Sequence, residues 1–343
     1  MDTFEKPTQP KEEKPWEPGE KRDTQAQKLV GFFEKTAALD FFQKIAEGTK
    51  DRPSFQEFRD FLTRINGILR DIPIAKRSED GQGVFLQGFG ENSEVPRHED
   101  KLPLLQEAYE KSETLEREYI KYFIPAIINA VHLFSDGNGR TSRTIYLLLE
   151  NHGSNENFAS ALKEALSLNG RLNAIDANTA FIRGDLENEV LRRNGWLKKG
   201  DPPYQQEQLG KINSGIASLE WSELDGNYSG YEFAGKVEEL SIDNGQYMIT
   251  AVYNFLGQER INEVTEEYDV DGKQYQTISP KKMMEALTPN EWEAILDEFY
   301  KLIKEETEIL IDVFVHPDQH KSKDGKSTLR DAFISAIQSE RRL

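Results

Sequence analysis

Residues 132–143 of this chain read HLFSDGNGRTSR, and together with their flanks they predict the core of the fold. The apolar run of residues 122–131 precedes this stretch, and the apolar run of residues 144–149 follows it. Apolar runs joined by a short glycine-containing segment indicate two buried helices with a turn between them. We therefore predict a tight loop between two core helices, with the second helix beginning at the glycine-containing end of the loop.

This loop carries residue types that bind a polyphosphate. Gly137 and Gly139 allow positive φ and let a ligand approach the backbone closely. Amides at the start of the second helix, up to Arg140, present unpaired donors and the positive end of the helix dipole to an anion. Asn138 can add a side-chain donor, and Arg140 and Arg143 lie three residues apart on one helix face. These features predict a phosphate-binding site.

Two further residues of the loop predict a metal ion and a base. Asp136 would be repelled by a phosphate unless a divalent cation lay between them, and Mg2+ suits one carboxylate plus phosphate oxygens and water. His132 is the group of the loop that can accept a proton near neutral pH. We therefore predict Asp136 as a metal ligand and His132 as a general base. Phe134 is interpreted as a core anchor.

The stretch resembles the signature of the Fic family, which runs His-x-Phe-x-Asp/Glu-Gly-Asn-Gly-Arg-x-x-Arg. Leu133 stands where many members carry proline, at a position where the family varies. All eight specified positions of the signature are met, by His132, Phe134, Asp136, Gly137, Asn138, Gly139, Arg140 and Arg143.

The resemblance implies an activity and a role for each of these residues. His132 would deprotonate a hydroxyl of a target protein, Asp136 would hold Mg2+, and residues 137–139 would form an anion hole. Arg140 and Arg143 would steady the phosphates of ATP. Most intact members transfer AMP from ATP to a Ser, Thr or Tyr of a protein and release pyrophosphate.

Three readings of the activity follow from the resemblance. AMP transfer is favoured over phosphoryl transfer because Gly139 stands where the Doc toxins, which are kinases, carry lysine. A different donor would give UMP or phosphocholine transfer on the same scaffold. A catalytically silent scaffold would act as a binding module, although the intact loop speaks against it.

The resemblance extends upstream, to a helix over residues 61–70, a turn over residues 71–77 and strand material over residues 83–90. In the family this last segment is a β-hairpin flap, which pairs with an extended segment of the target. The flap residues predicted to dock the target are Val84, Phe85, Leu86, Gln87 and Gly88.

Many Fic proteins also carry an inhibitory helix with the pattern Ser/Thr-x-x-x-Glu-Gly/Asn, whose glutamate pairs with the second arginine of the signature. The nearest match is residues 43–48, with Gln43 in place of the hydroxyl residue, which makes Glu47 the candidate inhibitory residue. Without such a helix, activity would be constitutive or controlled by a separate inhibitor chain.

Composition excludes several classes of protein. The chain has 343 residues, which favours two domains, and no cysteine, which excludes disulfides and cysteine nucleophiles. A net charge of −18 argues against a nucleic-acid partner. No apolar run approaches the roughly 20 residues of a membrane span, and no secretory signal pattern is present. We expect a cytoplasmic protein; export as an effector by a dedicated secretion system would escape this test.

The predicted fold is mainly α, with an all-helical Fic-type core, the β-hairpin flap and a small α+β C-terminal domain. Residues 1–28, which are rich in Lys, Glu, Pro and Gln, are predicted to be a disordered or loosely attached tail. Residues 29–200 form the predicted catalytic domain, and residues 205–343 an accessory domain of unknown role. In the latter we predict strands over residues 231–237, 246–255, 260–264, 275–278 and 308–315, a turn at 271–272, and helices over 280–287, 289–304 and 328–342.

Overall fold

The computed structural model describes eight segments of the chain. These are residues 18–48, 51–70, 96–134, 137–150, 158–166, 245–270, 273–321 and 327–340, with a few isolated positions besides. The predicted strand at 231–237, the turn at 271–272 and the domain boundary near residue 200 lie outside the described residues. The described part is mainly helical, as predicted.

Helices dominate the described segments. The described segments up to residue 166 contain α1 (Pro18–Thr36), α2 (Ala38–Glu47), α3 (Phe55–Leu69), α4 (His98–Lys111), α5 (Arg117–Val131), α6 (Asn138–Glu150) and α7 (Phe158–Ala165). The C-terminal part contains α8 (Gly245–Val264), β1 (Thr265–Val270), β2 (Lys273–Ile278), α9 (Pro280–Ala286), α10 (Pro289–Val315) and α11 (Leu329–Glu340). No helix within the described segments combines the length and apolar character that a bilayer crossing requires.

Local capping explains where several helices begin. Ser54 and Glu57 form a capping box at the start of α3, and the hydroxyl and amide of Ser54 hold the pKa of the Glu57 carboxyl below its ordinary range. Thr288 and Glu291 do the same at the start of α10, where the Thr288 amide is the largest cause that lowers the pKa of Glu291 to about 2. Such caps satisfy amides that the helix itself leaves unpaired.

The C-terminal helices share one hydrophobic core with the N-terminal helices. The ring of Phe314 in α10 lies 5.1 Å from that of Phe123 in α5 and 5.7 Å from that of Phe333 in α11. The Arg330 guanidinium lies over the Tyr119 ring, 3.8 Å from its centroid. The described helices after residue 245 therefore complete the core that supports α5.

Three predicted strands of the C-terminal part are wrong. Residues 246–255 and 260–264 belong to α8, and residues 308–315 belong to α10. Their aromatic and β-branched residues are typical of strands, but a helix packed on several sides contains the same short apolar runs. Within α8 the regular helix breaks at Gly257, where φ is 67°. The predicted α+β domain is therefore, in its described residues, helical apart from one hairpin.

That hairpin is the two-stranded antiparallel sheet of β1 and β2, in which Thr265 pairs with Ile278 and Val270 with Lys273. The predicted strand at 275–278 is confirmed as part of β2, whereas β1 was not predicted. The predicted helices beginning at Pro280 and Pro289 and the terminal helix are confirmed, although α10 continues eleven residues past residue 304, to Val315.

Helix α1 begins at Pro18, inside the segment predicted to be a disordered or loosely attached tail. Gln25 and Ala26 are buried, and the Gln25 side-chain amide donates to the carbonyl of Leu69 at 2.5 Å. The prediction of a loosely attached segment was therefore wrong for residues 18–28. The polar composition suggested a tail, but a few small or uncharged residues are enough to pack one face of α1 against the core.

Candidate functional site

His132 lies where α5 ends, in a left-handed backbone conformation. Its φ and ψ are 51° and 56°, and its amide donates to the Ile128 carbonyl at 3.2 Å. Residues other than glycine adopt this conformation uncommonly, so the surroundings must hold it in place. Lys101 of α4 does so by donating from Nζ to the His132 carbonyl at 2.8 Å. The predicted base is therefore half-buried at the end of a core helix, on a fixed backbone.

Asn138 closes the loop that follows. Its Oδ1 accepts from the Phe134 amide at 2.8 Å, and its Nδ2 donates to the Phe134 carbonyl at 2.5 Å. Both residues are buried, with Phe134 only 1% exposed, which confirms Phe134 as a core anchor. The side chain of Asn138 thus holds the loop together, and its donation to phosphate oxygens stays a prediction.

The helix α6 begins where the sequence predicts. The first helical hydrogen bond runs from the Thr141 amide to the Gly137 carbonyl, at 2.8 Å. The amides of residues 138–140 therefore lie ahead of the ladder of α6, where an anion binds most readily. Gly137 has φ 79°, as predicted, whereas Gly139 lies inside the helix without a positive φ.

Gly137 is also closely packed. A Cβ at this position would lie 3.0 Å from Nδ2 of Asn66, and 3.5 Å from an Nη atom of Arg140. Asn66 is buried in α3 and donates to the Thr141 hydroxyl at 3.2 Å. Any side chain at residue 137 would therefore press on the contact between α3 and α6.

Gly137→Ala is expected to destabilise the protein more than Gly48→Ala. Both glycines have positive φ, which costs an alanine about 1–2 kcal/mol, but only Gly137 has atoms within contact distance of the added methyl. Urea unfolding of the two variants separates the conformational cost from the steric one. Equal losses of unfolding free energy would show that Asn66 gives way without cost.

The remaining residues of the first turns of α6 are each held by a neighbouring element. Arg140 donates to the Leu69 carbonyl at the end of α3, at 3.4 Å. Ser142 donates to the Pro125 carbonyl inside α5, at 2.7 Å. These contacts with α3 and α5 fix the position of the first turns of α6. Donors that are already held in place need little rearrangement when an anion binds.

Arg143 is more buried than a phosphate-binding role alone would require. It is 2% exposed, and its Nε donates to the Ala165 carbonyl at 2.5 Å, at the C-terminal end of α7. A cation is favourable at this end of a helix dipole. A guanidinium carries five N–H donors in a fixed fork, so this bond sets the plane in which the terminal nitrogens lie.

Arg143→Met is therefore expected to lower the free energy of unfolding by about 1.5–3 kcal/mol without any nucleotide present, because it removes a buried charge-assisted hydrogen bond. Urea unfolding measures this loss. Arg117→Met is the matched control, since the Arg117 side chain is 48% exposed in its ion pair and should contribute little. An unchanged midpoint in Arg143→Met would contradict a structural share in the role of Arg143.

The buried amine of Lys101 predicts a pH dependence of stability. Burial lowers the pKa of Lys101 from 10.5 to about 8, so between these pH values the unfolded chain binds more protons than the folded one. The contribution of Lys101 therefore raises the free energy of unfolding as pH rises through this window, by at most about 1.4 kcal/mol per pH unit. Urea unfolding across the window should show this rise in the wild type relative to Lys101→Met; parallel curves would contradict it.

Glu47 does not lie at the loop. Its Oε1 accepts from Gln43 Nε2 at 2.9 Å and lies 3.8 Å from Nη1 of Arg117. Arg117 begins α5 and His132 follows its end, which separates them by about 22 Å at the rise of an α-helix. Glu47 is thus paired at the opposite end of α5, which does not suit the predicted inhibitory role.

Asp136 and the flap, residues 84–88, lie outside the described residues, so their predicted roles stay predictions. Sequence reasoning missed three residues that shape the loop: Asn66, Lys101 and Arg70, whose Cγ would lie 3.6 Å from a Cβ at residue 137. A polar residue among the buried positions of α3 was a weak signal for Asn66. The sequence carried no signal for Lys101, because a lysine that follows two acidic residues usually lies on a solvent-exposed helix face.

Compared with protein-family models, with curated proteins and with solved structures, the chain gives no match. Its function must therefore be inferred from the residues of the loop and their geometry.

Proposed function

We propose that this chain is a protein nucleotidylyltransferase, which transfers AMP from ATP to a Ser, Thr or Tyr hydroxyl of a target protein and releases pyrophosphate. One observation carries the proposal: the imidazole-bearing residue His132 and the start of α6 stand at the two ends of one short loop, which hydrogen bonds between Asn138 and Phe134 close. A transferase that activates a hydroxyl beside a bound polyphosphate requires these two functions side by side.

In the proposed step, His132 accepts the proton of the target hydroxyl. The hydroxyl oxygen forms a bond to the α-phosphorus of ATP, and the bond from that phosphorus to the oxygen bridging to the β-phosphate breaks. Pyrophosphate leaves with the electron pair of the broken bond. A positioned base contributes roughly 10²–10⁴-fold to such a step.

The polyphosphate would bind at the start of α6. The amides of residues 138–140 precede the hydrogen-bond ladder of this 13-residue helix, and its dipole favours an anion there. Arg140 and Arg143 supply positive charge from the same helix. Both are anchored to neighbouring elements, Arg140 by the Leu69 carbonyl and Arg143 by the Ala165 carbonyl, so their side chains are held in place before any ligand arrives.

A carboxylate next to a phosphate site is the kind of site that binds Mg2+. In the sequence Asp136 directly precedes Gly137, whose carbonyl accepts the first hydrogen bond of α6. Asp136 would hold the ion, which when bound would neutralise charge on the phosphates.

The alternative transferase activities differ in the nucleotide that donates the transferred group. Gly139 leaves the second glycine of the Fic signature intact, which supports transfer of AMP over transfer of phosphate. UMP or phosphocholine transfer would use the same loop with a different donor. A catalytically silent scaffold would act as a binding module, with the C-terminal part contacting the partner.

Incubation of the chain and a cell lysate with Mg2+ and ATP, labelled at either the α or the γ phosphate, tests the proposal. We expect label from the α position, and none from the γ position, on the chain itself or on a lysate protein. UTP and a choline nucleotide serve as parallel donors. Label from the γ position alone would mean a kinase, and no label with any donor, from a chain shown to be folded, would favour the binding module.

A further inference from the structure

Lys101 has a buried side-chain amine that contacts the backbone of His132, the predicted base. It is 2% exposed and donates from Nζ to the His132 carbonyl at 2.8 Å. Burial lowers the pKa of Lys101 to about 8, which reflects the cost of keeping the ammonium away from water. A lysine is seldom buried in this way unless it satisfies a specific acceptor.

The acceptor is the carbonyl of His132, whose backbone has an unfavourable left-handed conformation. The last carbonyls of α5 have no partner within the helix and lie at the negative end of its dipole. His132, just beyond them, has φ 51°, a conformation that costs a residue with a side chain about 1–3 kcal/mol. The bond from Lys101 favours this conformation, and the direction in which the imidazole leaves the backbone depends on it.

Two ion pairs join the start of α4, the helix that carries Lys101, to α10. Lys304 Nζ lies 2.9 Å from a carboxylate oxygen of Asp100, the residue next to Lys101. Arg97 Nη2 lies 2.5 Å from an Asp297 carboxylate oxygen. These pairs connect α10 to the start of the helix that carries Lys101.

We propose that Lys101 is a positioning residue, which fixes the backbone of His132 and thereby holds the imidazole in reach of the target hydroxyl. It acts through His132 and touches no substrate, because its amine is buried against the carbonyl. The inference rests on the proposed function, in which His132 is the base.

Two substitutions separate positioning from folding. Lys101→Met keeps the length of the side chain and removes the donor and the charge, and replacing a buried charge with an apolar group of similar size is often tolerated. Lys101→Arg keeps a donor and a charge. Lys111→Met is the matched control, since Lys111 lies on the same helix, 42% exposed, in an ion pair with Glu107.

We expect Lys101→Met to lower kcat for AMP transfer by about 10- to 100-fold while leaving the Kd for ATP within about twofold of the wild type. Lys101→Arg should recover part of the lost rate, and Lys111→Met should behave as the wild type. In the His132→Ala background, Lys101→Met should cause no further loss. Wild-type kcat in Lys101→Met, or equal losses in kcat and ATP affinity, would overturn the proposal.

A readout independent of catalysis keeps the two proposals distinguishable. The chain has five histidines, so the NMR signal of the His132 ring can be assigned by its loss in His132→Ala. We expect one sharp His132 signal in the wild type and a shifted or broadened signal in Lys101→Met. An unchanged signal would overturn the positioning role, whereas absence of transfer by the wild type with any donor would overturn the proposed function alone.

Discussion

Replacing His132 with alanine is expected to reduce the rate of AMP transfer by about 10²–10⁴-fold, the contribution of a positioned general base. The affinity for ATP should stay close to that of the wild type, because the proposed phosphate site lies at the start of α6 and does not use the imidazole. Steady-state transfer with labelled ATP measures the rate, and calorimetric titration with MgATP measures the affinity.

The matched control is His316→Ala. The His316 side chain is 55% exposed and lies beyond the end of α10, beside Asp312, so its loss should leave transfer unchanged. Full activity in His132→Ala would show that the base has been assigned to the wrong residue. Loss of ATP affinity along with activity would show that the imidazole takes part in binding.

Phe314→Ala is expected to lower the free energy of unfolding of the whole protein by about 3–5 kcal/mol, the usual cost of truncating a buried phenylalanine. Phe314 is fully buried between Phe123 of α5 and Phe333 of α11. Because α5 also carries the loop, this cavity should weaken both ends of the chain together. Urea unfolding followed by circular dichroism should show a single transition with a lower midpoint.

Phe255→Ala provides the control, since Phe255 is 39% exposed and its truncation should change stability by no more than about 0.5 kcal/mol. If the C-terminal helices were an independent domain, Phe314→Ala would shift only one of two transitions. That result, or a loss below about 1 kcal/mol, would contradict a shared core.

The central helices could be predicted because their sequence signals agree with one another. Long apolar runs on both sides of a glycine-containing segment leave little choice but two buried helices, and α5 and α6 are where they were predicted. The helices predicted to begin at Pro280 and Pro289 begin there in the structure, where Ser279 and Thr288 cap them. The residues now in α8 and at the end of α10 misled because they are aromatic or β-branched, and packing overrode that preference.

The site was predictable only as far as its residues are neighbours in sequence. The left-handed Gly137, the start of α6 and the buried Phe134 all follow from local chemistry. The contacts of Lys101 with His132 and of Asn66 with Thr141 join residues 31 and 75 positions apart, so no local pattern could reveal them. These distant contacts hold the loop in the geometry on which the proposed chemistry depends.

Peptide mapping by mass spectrometry, applied to the labelled protein after incubation with MgATP, tests the transferase activity most directly. We expect one adenylate on a serine, threonine or tyrosine hydroxyl, present with the wild type and absent with His132→Ala. A target that carries only phosphate, or that stays unmodified with every nucleotide donor although the chain is folded, would contradict AMP transfer at this loop.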